Sequence, residues 1–272
     1  MPDVSVIIVN YNRFDLTHQA IGSLIRYSPE VEIIVVDNSS TPNSAGSLTK
    51  EFPSIKYIGL SKNEGFGYAN NRGAKLARGE YIFLLNNDAF LMEDTPQILA
   101  SFCEANPSVG ICAPKLIYPN GNFQLSWGRD PSIINEWIMR RMYRKFDKSC
   151  HNYISKIEKQ YNKITSVDWL TGAALMIRKD VYNKVGGFDE KYFMYYEDSD
   201  LCKRVRDIGY SILYVPTTIV AHIRNETMKS FTEKVSLEYR KSQILYYRKH
   251  KHLWSRFLLR IYLIFRSGGI KL

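Results

Sequence analysis

The chain is 272 residues long and 45% hydrophobic, which argues against a disordered protein and suffices for one large domain or two small ones. Its net charge is +10, and most of it lies at one end. Between Lys229 and Leu272 eleven Lys or Arg oppose two acids, Glu233 and Glu238. The same stretch carries Tyr239, Tyr246, Tyr247, Trp254, Phe257, Leu258, Ile261, Tyr262 and Phe265. A basic segment with a wide apolar face suits an anionic membrane surface, and no basic region or recognition motif points to nucleic acid. Cys103, Cys112, Cys150 and Cys202 show neither zinc spacing nor CxxC, so no metal knuckle or redox motif is indicated and a reducing compartment is expected. The acidic start Met1-Pro2-Asp3 and the short run Val4 to Val9 fit neither a signal peptide nor a membrane span, which points to the cytoplasm.

Val4-Ser5-Val6-Ile7-Ile8-Val9 reads as a buried strand ending in Asn10-Tyr11-Asn12. A helix is predicted from Phe14 to Tyr27, where Leu16, Ala20, Leu24 and Tyr27 share a face. Val31 to Val36 is a second β-branched run, closed by Asp37-Asn38-Ser39-Ser40. There Asp37 either accepts hydrogen bonds from a base or ribose or forms an Asx turn. Lys56 to Leu60 gives a third, shorter strand. Ser61 to Gly73 brings Asn63, Gly65, Gly67 and Asn70 into the approach to a helix reaching about Ala77. Glycines at that place let the backbone come close to a ligand, and a helix N-terminus favours an anion such as pyrophosphate. A plain turn is the other reading, since the segment is neither GxGxxG nor a P-loop.

Tyr81 to Leu85 is an apolar run that stops at Asn86, Asn87 and Asp88. Ligands of open α/β sheets sit beyond the carboxyl ends of such strands. A carboxylate there can hold a Mg²⁺ or Mn²⁺ ion that bridges phosphates, or it can cap a helix or turn. Strands alternating with helices predict a mainly parallel sheet with right-handed crossovers. A helix over Thr95 to Ala105 and a strand over Val109 to Ala113 follow, then a hairpin turn at Tyr118 to Phe123.

Ser132 to Lys163 is rich in Arg, Lys and aromatics with weak periodicity. It is expected to be a mobile acceptor-side or membrane-facing loop, with a solvated basic helix as the alternative. Val167 to Ile177 reads as one strand in which the small residues Thr171, Gly172, Ala173 and Ala174 mark a close approach to the backbone. Glu197, Asp198 and Asp200 fall in the first turn of a helix running through Arg206, where they suit its dipole. A strand from Ser211 to Val215 leads through Val220 to His222.

Four ordered segments, Val4 to Asn12, Val36 to Ser40, Asn63 to Asn71 and Leu84 to Asp88, together resemble glycosyltransferase family 2, and within it the bacterial rhamnosyltransferase type of cell-surface polysaccharide assembly. The resemblance runs from Val4 to about His222. It implies a GT-A fold, a nucleotide-sugar donor held through Mn²⁺ or Mg²⁺, and an inverting single displacement. Carried over residue by residue, it gives the donor Asn10, Asn12, Asp37, Asn63, Gly67, Asn70, Asn86 and Asn87. The metal falls to Asp88 and His222, the sugar and acceptor to Trp169, Thr171, Gly172, Ala173 and Glu197, and the catalytic base to Asp198. The usual DxD motif is acidic at its first and last positions. Here Asn86-Asn87-Asp88 leaves Asp88 as the charged ligand, with Asn86 offering a neutral oxygen.

An inverting transfer explains the single base. The acceptor hydroxyl must lose its proton as it attacks the anomeric carbon, and one positioned carboxylate can take it. The departing diphosphate needs its developing charge neutralised, which is the metal's part. The expected architecture is a GT-A domain over residues 1–228, with a nucleotide-sugar half (1–114) and an acceptor half (115–228), followed by a basic amphipathic helical tail (229–272). In the tail, Arg240 and Lys241 either fold back onto donor phosphates or face lipid, and Ile261 to Phe265 is too short to span a bilayer. The expected activity is transfer of L-rhamnose from its dTDP donor to a lipid-linked or growing glycan by an enzyme held peripherally at the inner membrane face. A UDP-hexose transferase and a non-catalytic, nucleotide-sugar-binding membrane scaffold are the alternatives.

Overall fold

A computed structural model describes residues 3–38, 45–147, 150–224 and 232–266. Ser39, Ser40, Lys229 and the terminal Ser267 to Leu272 lie outside the described residues. The first half contains β1 (Val4–Asn10), α1 (Phe14–Tyr27), β2 (Glu32–Asp37), α2 (Ala45–Glu51), β3 (Lys56–Gly59), α3 (Phe66–Leu76), β4 (Tyr81–Asn86), β5 (Ala89–Leu91), α4 (Thr95–Ala105) and β6 (Val109–Ile117). Then come β7 (Phe123–Gln124), β8 (Trp127–Gly128), α5 (Ile133–Asp147), α6 (His151–Gln160), β9 (Thr165–Ser166), β10 (Trp169–Leu170), β11 (Ala174–Arg178) and α7 (Lys179–Lys184). The chain continues with α8 (Glu197–Asp207), β12 (Ser211–His222), α9 (Thr232–His250) and α10 (Leu253–Arg266).

The main sheet has the order β3-β2-β1-β4-β11-β6-β12-β5. The strands β1, β2, β3 and β4 pair in parallel, as their nearly continuous apolar runs require when both faces are covered. Val6 and Ile8 point into one core with Ala20, Leu24 and Leu99, so α1 and α4 cover that face. Ile7 and Ile34 point into the other with Ala69, Val181 and Leu201, so α3, α7 and α8 cover the opposite face. The side-chain period of two along a strand produces this division. In the second half β11 inserts antiparallel between β4 and β6, and β5 folds antiparallel onto the end of β12.

Two expectations are corrected. The stretch 167–177 is not one strand: β10 pairs with β8 in a small separate sheet, β11 joins the main sheet, and Thr171 to Ala173 cross between them. There the Thr171 N–H donates to Ser126 O and the Asn86 N–H to Ala173 O. The expected loop over 132–163 contains two helices, α5 and α6. Met139, Met142, Tyr143 and Phe146 recur at helical spacing and pack with Tyr153 and Ile157 on the second core. The apolar stripe was obscured in the sequence by arginines and aromatics placed between its members.

Part of the tail packs against the body. Tyr246 and Tyr247 are buried with Tyr192, Tyr196, Leu259 and Leu263. Several of its polar and charged residues bond to the body rather than facing outward. Lys249 pairs with Asp189 and Asp200 at 2.8 Å each, His250 with Asp200 at 2.7 Å, Tyr246 donates to Asp130 at 2.7 Å, and Lys251 pairs with Asp130. Helix α10 nonetheless leaves Leu253, Trp254, Phe257, Leu258 and Ile264 exposed. Among the described residues, no helix is long and apolar enough to cross a membrane.

Candidate active site

A cavity of about 840 Å³ opens at the carboxyl ends of β1 and β4 and is walled by α5, the start of α8, the β10–β11 crossing and α9. Asp88 occupies the turn between β4 and β5. Pairing of β5 with β12 sets Ala89 opposite His222, and the Ile223 N–H donates to Asp88 O at 2.9 Å. His222 Nε2 consequently lies 3.1 Å from Asp88 Oδ1. Both side chains are buried.

The far nitrogen of the same imidazole defines its proton. Gln124 Nε2 donates to the His222 carbonyl at 3.2 Å, which turns Gln124 Oε1 toward His222 Nδ1 at 2.6 Å. Assigned from this network, Nδ1 donates to Gln124, and Nε2 faces the Asp88 carboxylate. Both side chains are of types that can ligate a cation. A carboxylate oxygen and an imidazole nitrogen suit Mn²⁺ or Mg²⁺, and such ions keep water and phosphate oxygens as their remaining ligands. Among the described residues no group of three or more His, Cys, Asp or Glu gathers to hold a metal ion, and an ion held by the Asp88–His222 pair would leave its other positions to water or substrate oxygens.

Asn86 and Asn87 line the same edge, as does Asn63 on the loop before α3. Asn63 Oδ1 accepts from Asn38 Nδ2 at 2.9 Å and from the Gly65 N–H at 3.0 Å, while Asn38 Oδ1 accepts from the Glu64 N–H at 3.0 Å. Gly65 has φ 95°, and a Cβ there would lie 2.3 Å from Phe193 O; only glycine lets this loop abut the segment that leads into α8.

Asn10, Asn12, Asp37, Gly67 and Asn70 do not line the cavity. Asn10 donates to Asp37 at 3.0 Å and accepts from Thr17 at 2.8 Å, and Tyr57 donates to Asp37 at 2.7 Å, forming a polar bracket behind the strand ends. Asn12 follows with φ 54°. Gly67 makes room for Phe188, whose Cβ would be 2.9 Å from an added Cβ. Asn70 bonds back to Phe66 O within α3.

The base candidate is placed by strained backbone. Tyr195 and Tyr196 have φ of 66° and 64°, values costly for residues with a Cβ. The turn they make is held from two sides: Tyr196 donates to Glu136 of α5 at 2.8 Å, and Ser242 of α9 donates to Met194 O at 2.7 Å. Glu197 and Asp198 thereby border the cavity at the start of α8, beside Trp169, Thr171, Gly172 and Ala173. Burial pushes the Asp198 carboxyl up to about 6, against the opposing pull of backbone N–H groups of Ser199 and Gly172. Burial, reinforced by the charge of Asp198, pushes Glu197 up to about 8. Glu197 Oε2 has no hydrogen-bond partner among the described residues.

Several lining residues were missed from the sequence, among them Gln124, Glu136, Arg140, Tyr143 and Arg144. The i,i+4 spacing of Arg140 and Arg144 was the available signal, but it needed α5 to be recognised as a helix. Arg224 donates to Tyr118 at 3.0 Å and its guanidinium lies 5.0 Å from the Tyr143 ring centre; Asn225, Glu226 and Thr227 lie outside the described residues. Arg240 lines the cavity, whereas Lys241 is exposed and pairs with Glu238 at 2.7 Å.

A mainly parallel sheet with this cavity at its carboxyl edge is an open α/β fold with its ligand site beyond the strand ends. Residues 5–186 match the family described as Glycosyl transferase family 2, and residues 152–229 match the N-terminal domain of galactosyltransferase. The chain belongs to glycosyl transferase family 2. It is 25% identical to the N-acetylglucosaminyl-diphospho-decaprenol L-rhamnosyltransferase of Mycobacterium tuberculosis (strain ATCC 25618 / H37Rv), over 98% of this chain and 92% of that protein. It is 26% identical to rhamnosyltransferase WbbL of Escherichia coli (strain K12), over 96% of this chain and 99% of that one. Among solved structures it is similar to GalNAc-T7 with UDP, GalNAc and Mn²⁺, with a TM-score of 0.62 and 15% identity over 82% of this chain and 44% of that one. It is also similar to the mannosyltransferase PcManGT of Pyrobaculum calidifontis in complex with GDP-Man and Mn²⁺, with a TM-score of 0.61 and 16% identity over 92% of this chain and 66% of that one. The chain thus spans under half of the first of these structures.

Proposed function

We propose that this glycosyltransferase is an inverting enzyme that moves L-rhamnose from a dTDP-activated donor to a lipid-linked or growing cell-surface glycan. The observation that carries the reading is the position of Asp198, a carboxyl held near neutrality, in the same cavity as the Asp88–His222 pair. Asp198 takes the proton of the acceptor hydroxyl as that oxygen bonds to the anomeric carbon and the nucleoside diphosphate departs from the opposite face. Asp88 and His222 would hold Mn²⁺ or Mg²⁺, whose charge offsets that of the departing diphosphate. Asn63, Asn86 and Asn87 border the donor, with Asn10, Asn12, Asp37, Gly67 and Asn70 shaping its seat from behind. Trp169, Thr171, Gly172, Ala173 and Glu197 border the sugar and acceptor. The choice of rhamnose and of a lipid-linked acceptor is supported by the names of the full-length relatives.

In this reading residues 1–228 form the transferase domain, α9 completes its cavity with Tyr239 and Arg240, and residues 229–272 also attach it to the inner, anionic face of the membrane. The exposed Leu253, Trp254, Phe257 and Leu258 of α10, with Arg260 beside them, support that attachment. A different nucleotide sugar is the second reading, favoured by the UDP and GDP-Man held by the two similar structures. Calorimetric titration with dTDP and with UDP, each with and without Mn²⁺, followed by transfer assays with the matching sugar and NMR of the new linkage, tests both. Tight, metal-dependent dTDP binding and inverted product support the first reading, preferential UDP binding the second. Absence of nucleotide binding overturns both.

A further inference from the structure

The cavity is lined by the carboxyls of Asp88, Glu136, Glu197 and Asp198 and by five guanidinium groups, most of them away from the Asp88 edge. Arg129, Arg140, Arg144, Arg224 and Arg240 all line it. A nucleoside-diphosphate sugar brings two negative charges, which a divalent ion at Asp88 and His222 largely offsets. Arg224 follows His222 closely in the chain and belongs to that edge. Arg140 and Arg144 stand one turn apart on α5 and Arg240 comes from α9, on the helical wall of the cavity. Arg140 interacts with the Tyr239 hydroxyl, and the Arg240 guanidinium lies 5.4 Å from the centre of the same ring, so the two meet at Tyr239. Glu136 in this wall is 3.6 Å from Arg140 and already accepts hydrogen bonds from Tyr196 and Gln243. Arg240 donates to the neutral Gln243.

Helix α5 has a second face. Ile134, Trp137 and Ile138 are 71%, 57% and 43% exposed, so one helix presents guanidinium groups to the cavity and hydrocarbon to the outside. It is joined to α10, with its own exposed Trp254 and Phe257, through an Arg140–Tyr262 hydrogen bond of 2.9 Å. Guanidinium forks match phosphate oxygens, and an apolar ridge next to them suits an attached chain.

We propose that Arg140, Arg144 and Arg240 bind the phosphate of a lipid-diphosphate acceptor whose hydrocarbon chain leaves the cavity over Ile134, Trp137 and Ile138. This rests on the reading of a lipid-linked acceptor and names the site that would recognise it. It is a second anion site, separate from the one at Asp88.

Titration of the full chain with farnesyl diphosphate in the presence of EDTA tests it, with inorganic pyrophosphate and farnesol as comparison probes and dTDP or UDP with Mn²⁺ measured separately. Farnesyl diphosphate is expected to bind more tightly than either comparison probe. Arg144→Ala and Arg240→Ala are each expected to weaken it by about tenfold or more while nucleotide affinity stays at the wild-type value. Arg144 is exposed on its helix, so its removal leaves the fold in place, and retained nucleotide binding reports that. Unchanged farnesyl diphosphate affinity in both variants, equal affinity for pyrophosphate, or displacement by nucleotide with Mn²⁺ would each overturn the proposal. Failure of the transferase reading appears elsewhere, as absence of nucleotide binding to the wild-type chain.

Discussion

His222 Nε2 lies 3.1 Å from Asp88 Oδ1 because β12 and β5 run side by side, and Gln124 holds the opposite ring nitrogen at 2.6 Å. If Asp88 and His222 hold the metal as proposed, Gln124 acts on them as a positioning residue. Partners of this kind typically influence metal affinity by about 10–100-fold. Gln124→Leu is expected to raise the Mn²⁺ concentration needed for half-maximal nucleotide binding by that order, and Asp88→Ala to remove the Mn²⁺ dependence. Calorimetry at graded Mn²⁺ checks both; a wild-type metal requirement in both variants removes the metal role from this edge.

Asp198 must be unprotonated to act as a base. With its carboxyl pushed up to about 6 by burial, kcat is expected to rise with pH through that region. Asp198→Asn, nearly isosteric but without the basic oxygen, is expected to lower kcat by about 10²–10⁴-fold with a smaller effect on KM. A flat wild-type profile across the rising limb, together with normal turnover in the variant, would falsify the assignment.

Glu197 gives a pH effect on stability rather than rate. Its folded value is about 8 against an ordinary 4.5, so between these the folded chain holds a proton that the unfolded chain has released. Stability therefore falls as pH rises through that window. Glu197→Gln abolishes this contribution, and the variant is expected to gain on the wild type as pH rises from about 5 to about 8. Urea unfolding of the pair at both pH values measures it; parallel curves would remove Glu197 as the cause.

Asp200 works in the opposite direction. Burial raises its proton affinity, but His250, Arg204 and Lys249 outweigh that and hold it at about 2, below the ordinary 3.8. Its contribution is present above the ordinary value and lost as pH falls toward 2. Asp200→Asn leaves Arg204 and Lys249 beside a neutral group and is expected to cost about 3–5 kcal/mol, as breaking buried ion pairs does. Because α9 is fastened there, the variant is also expected to weaken the hold on Tyr196 and Arg240. Thermal unfolding and protease sensitivity of α9 are the readouts, and a wild-type Tm would show that the cluster does not anchor the helix.

The strands β1, β2 and β4 and their polar ends were legible in the residue pattern. Helices α1 and α4 occupy the residues predicted for them, and β1 and β4 deliver Asn10 and Asp88 near the strand ends, because apolar period and polar termination are local properties. Where α5 runs was less legible: Met139, Met142, Tyr143 and Phe146 form a stripe only once the second core is present to receive them. The tail shows the same limit. Tyr246 and Tyr247 in a basic segment suit lipid or protein equally as a pattern, and packing against Tyr192 and Tyr196 assigns them to protein. The pairing of Asp88 with His222, and of His222 with Gln124, depends on strand neighbours far apart in the chain. Side-chain chemistry is written residue by residue, whereas proximity between distant residues exists only after the sheet has closed and buried its two faces.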